Sequence, residues 1–153
     1  SHSNMEQYAE AETVDCIMFN FGWLPGGDKT VTTLWETTRK AVGDCLSLLK
    51  KGGVLISSTQ KIDPMPVIMG KATYPEDILA KLKEKDIKLV SLDALSLAIE
   101  AGTPKCANIV LLGAAVQFLG IDKEMWIDII RSTVPPKTID VNLKAFELGY
   151  NAN

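Results

Sequence analysis

The sequence predicts an α/β fold with a small, mostly parallel sheet of about three strands and a run of C-terminal helices. Three observations predict it. An apolar, strand-like run at 14–19 is followed by a Gly/Pro/Asn loop, helical periodicity and a second apolar run at 54–58. A third run, 87–91, follows another helical stretch. Everything after it reads as helix punctuated by glycine and proline.

The first run reads V-D-C-I-M-F, and the loop leaving it is Asn20-Phe21-Gly22-Trp23-Leu24-Pro25-Gly26-Gly27-Asp28. Helical spacing then holds over about 32–49, with Leu34, Ala41, Cys45, Leu48 and Leu49 near one stripe. Gly52-Gly53 closes that helix before the strand at 54–58. A strand-helix-strand order predicts a parallel pair with a right-handed crossover. Asp63-Pro64-Met65-Pro66 cannot be the middle of a helix. Tyr74-Pro75-Glu76-Asp77 opens a helix to about residue 84, its acids facing the positive helix end.

Asp93 is placed to cap a helix over 94–101, which Gly102 stops. Pro104 opens a more apolar helix to about residue 119, on which Asn108 reads as a satisfied buried amide. Asp122 caps another through Arg131, Pro135-Pro136 interrupts, and the last helix runs roughly 139–149. Its Asn142, Lys144, Phe146 and Tyr150 form an amphipathic face that packs on the sheet or docks another subunit. Three strands leave sheet edges to be managed. The expectation is therefore a homodimer, with strand exchange as one way of building it.

The 153 residues are expected to form one domain, 1–153, with 46% hydrophobic and 23% charged residues. A net charge of −3 offers no basic stripe for phosphate backbones, so nucleic acid is not an expected partner. Cys16, Cys45 and Cys106 have no C-x-x-C spacing, which predicts free thiols, no metal site and a cytoplasmic setting. The sole histidine is His2. The longest apolar run, 107–119, is too short for a bilayer, which needs about 20 residues. No signal peptide is read at the start, and the absence of an initiating Met suggests a processed, excised or engineered product.

Two resemblances follow from longer motifs. Residues 1–50 carry His2, Asn4-Met5, Tyr8, V-D-C-I-M-F-N-F-G-W-L-P-G-G-D-K and Glu36-Thr37-Thr38. This segment resembles the middle of a class I S-adenosylmethionine-dependent methyltransferase, in the rRNA methylase group that includes modifiers of tRNA wobble uridine. The resemblance implies that Asn20, Gly22, Trp23 and Leu24 line an S-adenosylmethionine site, with His2 near the adenine. That family's glycine-rich strand-turn-helix lies upstream of the matching segment, and Gly26-Gly27 does not replace it.

Residues 51–153 carry G-G-V-L-I-S-S-T-Q-K-I-D-P-M-P-V-I-M-G-K-A-T-Y-P-E-D-I, then D-A-L-S-L-A, G-T-P-K-C-A-N-I-V-L-L-G-A and V-N-L-K-A-F-E-L-G-Y. This segment resembles the gamma-type subunit of 2-oxoacid:ferredoxin oxidoreductases, especially the indolepyruvate branch. The resemblance implies a Rossmann-like three-layer fold. It also implies a partner subunit in a complex that uses thiamine diphosphate, iron–sulfur clusters and coenzyme A. Thr59, Gln60, Lys61, Pro64, Met65 and Pro66 are then candidates for a partner surface, with no catalytic residue in this chain.

Both families carry L-L-K-x-G-G-x-x-I at equivalent places, here at 48–56. The expectation drawn from that shared phrase is a recombined or designed chimera, folded and self-associating, without independent catalysis. Its alternatives are a non-catalytic gamma-type subunit and a truncated S-adenosylmethionine-dependent RNA methyltransferase.

Overall fold

The computed structural model describes residues 2–14, 17, 35–60, 63, 65–71, 73, 80, 83 and 88–152. They fall into two compact units, Ser1–Gly53 and Val54–Asn153.

The first unit contains a 3-10 segment, His2–Gln7, and helix α1, Trp35–Leu48. Ala41, Cys45 and Leu48, spaced one turn apart, form its buried stripe as the periodicity predicts. The last carbonyls of a helix have no donor within it. Here the backbone N–H groups of Glu12 and Val14 supply two, to the oxygens of Ser47 (3.1 Å) and Leu48 (3.0 Å). Lys50 N–H returns to Val14 O at 3.1 Å, making a parallel bridge between Val14 and Leu49. Of the strand expected at 14–19, Asp15, Cys16, Met18 and Phe19 lie outside the described residues. Gly52, at φ +74°, turns the chain out of the unit.

Burial, reinforced by the charge of Asp44, pushes the Cys45 thiol up to about 11. Thiol alkylation proceeds through the thiolate. Iodoacetamide near neutral pH is therefore expected to leave Cys45 unmodified in the native chain and to label it fully in denaturant. Peptide mass spectrometry reads the difference, and rapid native labelling of Cys45 would contradict its placement in the core.

The second unit is α/β. Strands β1, Val54–Ser58, and β2, Lys88–Leu92, pair in parallel from Val54↔Lys88 to Ser58↔Leu92. After β1 comes a single helical turn, α2, Met65–Ile68, with Pro66 in the first turn where a missing N–H is tolerated. Tyr74, Pro75, Glu76 and Asp77, the expected helix start, lie outside the described residues, although Ala80 and Lys83 are helical. Then come α3, Ala94–Ala101; α4, Ala107–Val116; α5, Lys123–Thr133; and α6, Ile139–Tyr150.

Helix boundaries follow the expected chemistry. Asp93 accepts from the Ser96 N–H (3.0 Å) and hydroxyl (2.7 Å), and the backbone bond first among these holds its carboxyl below the usual range. Gly102, at φ +134°, ends α3 and donates to the carbonyls of Ala98 and Ile99. Asp122 caps α5 through the Glu124 N–H at 3.1 Å.

Ala94, Ala98 and Ala101 give α3 a small-residue face, which joins Leu92 of β2 and Val110 and Ala114 of α4 in one core cluster. A second cluster gathers Val116, Ile127, Ile130 and Phe146 where α4, α5 and α6 meet. Helices α4 and α6 cross with their backbones in contact. A Cβ built on Gly113 would collide with the Phe146 carbonyl oxygen, and one built on Gly149 with the Val110 carbonyl oxygen. Each glycine thus makes room for the other helix's main chain.

Two expectations change. Asn108 is exposed, and the buried amide is Asn142, which donates from Nδ2 to Thr138 O (2.7 Å) and accepts from the Cys106 thiol (3.6 Å). The helix phase decides this: Asn142 shares the inward side of α6 with Ala145 and Phe146. Nor do Asn142, Lys144, Phe146 and Tyr150 share one face of α6. Phe146 is fully buried, while exposed Lys144 reaches the Glu100 carbonyl at 2.6 Å. Among the described residues no helix is long and apolar enough to cross a membrane.

Candidate functional site

In open parallel sheets, ligand and partner groups collect at the carboxyl ends of the strands. Here that edge is formed by Ser57-Ser58-Thr59-Gln60 leaving β1 and by Asp93 at the β2–α3 turn. Thr59 N–H donates to Leu92 O at 2.9 Å, so pairing continues one residue past β1. Gln60 N–H donates to the Ser58 hydroxyl oxygen at 3.2 Å. The backbone at 59–60 is therefore fixed while both side chains are exposed. Asp93 is committed to Ser96, which makes it a helix cap rather than a free carboxylate.

A few residues on, Ile68 and Met69 are 65% and 56% exposed. The turn after them is closed by Gly70, at φ +70°, whose N–H donates to Val67 O at 3.0 Å. Residues 59–60 and 68–69 thus offer a hydroxyl and an amide group and two large apolar side chains, the latter held out by a tight turn. That combination suits contact with another protein surface, in which apolar anchors are framed by polar groups.

Of the residues the sequence singles out, Thr59 and Gln60 sit at this edge, and Met65 and Pro66 belong to α2. Lys61 and Pro64 lie outside the described residues, as do Asn20, Gly22, Trp23 and Leu24. Sequence reasoning missed Ser57, Ser58 and Ile68, and reads Met69 only as core or interface filling. The available signal was a Ser-Ser pair ending an apolar strand, and an Ile-Met pair directly before glycine.

The cysteines that the structure describes do not fit an iron–sulfur cluster, which needs convergent thiolates. Cys45 and Cys106 are both buried, and burial raises both thiols.

The family model for pyruvate ferredoxin/flavodoxin oxidoreductase matches residues 6–152. The chain belongs to that family. The indolepyruvate oxidoreductase subunit IorB of Thermococcus kodakarensis is 46% identical over 112 residues, covering 70% of this chain and 55% of that protein. This member of the oxidoreductase family thus spans about half the length of the curated relatives it matches. Among solved structures, the keto/oxoacid ferredoxin oxidoreductase gamma subunit from Geobacter sulfurreducens PCA superposes with a TM-score of 0.52 at 26% identity. That match covers 73% of this chain and 57% of the other.

These matches overturn the expected chimera. One family model runs across the supposed junction at 48–56 and takes in both segments. The shared L-L-K-x-G-G phrase marks a helix end, a glycine turn and a strand, a passage common to parallel α/β units, so it does not mark a splice. The methyltransferase likeness is confined to a shorter match. The chloroplastic tRNA (mnm(5)s(2)U34)-methyltransferase of Arabidopsis thaliana is 42% identical over 55 residues, covering 35% of this chain and 20% of that protein.

Proposed function

We propose that the chain is part of a gamma-type, IorB-like subunit of a 2-oxoacid:ferredoxin oxidoreductase, with indolepyruvate-type 2-oxoacids as the substrate class. The observation carrying this reading is the 46% identity to an indolepyruvate oxidoreductase subunit, inside a family match that spans residues 6–152. The chain acts beside a partner subunit that holds thiamine diphosphate and the iron–sulfur clusters. Thiamine diphosphate supplies carbanion stabilisation at the 2-oxoacid carbon when bound there. The role of this chain's residues is docking: the backbone pinned by Thr59 and Leu92 fixes the carboxyl edge of the sheet, and Ile68 and Met69 are the apolar anchors.

Co-expression with a tagged thiamine-bearing subunit tests this. The chain is expected to co-elute with it, and the double variant Ile68→Asp/Met69→Asp is expected to abolish co-elution. Because both side chains are exposed, the variant's melting temperature should stay within about 2 °C of the parent. A wild-type chain that never co-elutes would refute the proposal.

A further inference from the structure

The docking edge at 59–60 is held to the other strand by Thr59 N–H, which donates to Leu92 O at 2.9 Å. That acceptor is only as fixed as the peptide plane carrying it, which Leu92 shares with Asp93. Leu92 anchors one end of the plane. Its side chain is buried in the first core cluster, and it stands opposite Ser58 in the parallel ladder.

Asp93 anchors the other end, and it is gripped through both its main chain and its side chain. Its carbonyl accepts from the Leu97 N–H at 3.2 Å. Its carboxylate accepts from the Ser96 N–H at 3.0 Å and, through the second oxygen, from the Ser96 hydroxyl at 2.7 Å. These side-chain bonds hold Asp93 at φ −79° and ψ 78°, a non-helical conformation at the head of α3. Without them the first turn of α3 frays and φ at residue 93 is released. The Leu92 carbonyl is then free to tilt away from Thr59.

We infer that Asp93 is a positioning residue for the docking edge: through the shared peptide plane, its cap keeps Thr59 and Gln60 in place for the partner subunit. Gln60 is included because its own N–H returns to the Ser58 hydroxyl oxygen at 3.2 Å, on the strand side of Thr59. What the position needs is hydrogen bonding to Ser96 rather than charge. An asparagine meets that need, accepting from the Ser96 N–H through its amide oxygen and donating to the hydroxyl. The docking half of this role rests on the function proposed above, whereas the pin on Thr59 belongs to the chain alone.

Two measurements test it: amide hydrogen exchange of the free chain by NMR, and titration of the chain onto the tagged thiamine-bearing subunit. Asp93 is exposed, so its variants leave the core intact. Asp93→Ala is expected to speed exchange at the Thr59 amide roughly threefold to tenfold and to weaken docking by a similar factor. Asp93→Asn should keep both within about twofold of the parent. Asp122→Ala is the control for general destabilisation. It removes the cap of α5, where Asp122 accepts from the Glu124 N–H at 3.1 Å, and should leave both readouts within about twofold. Thr59 exchange that ignores Asp93→Ala, responds equally to Asp122→Ala, or stays fast in Asp93→Asn overturns the inference. Faster Thr59 exchange with docking unchanged overturns the positioning role while the docking reading stands. A parent chain that never binds the subunit sinks the docking reading, and the positioning role with it.

Discussion

Replacing Phe146 with alanine is expected to lower the melting temperature by roughly 10–15 °C. Phe146 is fully buried at the meeting of α4, α5 and α6, beside Val116, Ile127 and Ile130. Truncating such a side chain removes its transfer energy and leaves a cavity that a packed interior closes only in part, a loss of about 3–5 kcal/mol. That is a large share of the roughly 5–15 kcal/mol by which domains are stable. Calorimetry reads it directly. A shift below about 3 °C would mean that the second cluster does not hold the helices together.

The second large effect is expected from the two glycines of the helix crossing, and here a control reverses its sign. In an exposed helix position, glycine to alanine stabilises by up to about 1 kcal/mol through backbone entropy. Gly43 in α1 is such a position: it is exposed, and an added Cβ meets no heavy atom within 4 Å. Gly149→Ala instead drives a methyl group into the Val110 carbonyl. Neither partner is a flexible side-chain end, so α4 and α6 must separate, and the cost of overpacking, about 1–3 kcal/mol, outweighs the helix-propensity gain. Denaturant unfolding should show Gly43→Ala as neutral or stabilising and Gly149→Ala as destabilising by about 2 kcal/mol, with Gly149→Val worse. Equal effects at the two positions would refute the close crossing.

Much of the α/β frame was legible because its signals are local. Asp93, Gly102 and Asp122 act on backbone within four residues of themselves, and they bound the helices where short-range chemistry places them. The strand at 54–58 is likewise marked by a glycine turn and an apolar run. What failed was helix phase. The 107–119 run is apolar nearly all round, so its pattern gives no inward direction, and Asn108 was assigned the burial that belongs to Asn142. The crossing at Gly113 and Gly149 was illegible for another reason. Each glycine reads alone as a tolerated helix defect, and only contact across 36 positions of sequence gives the pair its purpose.

The candidate site was legible in part. Thr59 and Gln60 were accessible because a residue following a parallel strand sits at the sheet's carboxyl edge by topology alone. The exposure of Ile68 and Met69 was not, since it depends on how the turn at Gly70 holds the chain. The family match corrected the reading of origin that the shared glycine phrase had suggested.

Asn142 ties together two places that the chain reaches 32 residues apart: the start of α4, through Cys106, and the turn preceding α6, through Thr138. A hydrophobic residue at 106 would strand the amide oxygen in apolar surroundings, whereas serine would keep a donor there. Drift at these two positions is therefore expected to be concerted: lineages that lose the donor at 106 should also have lost the amide at 142.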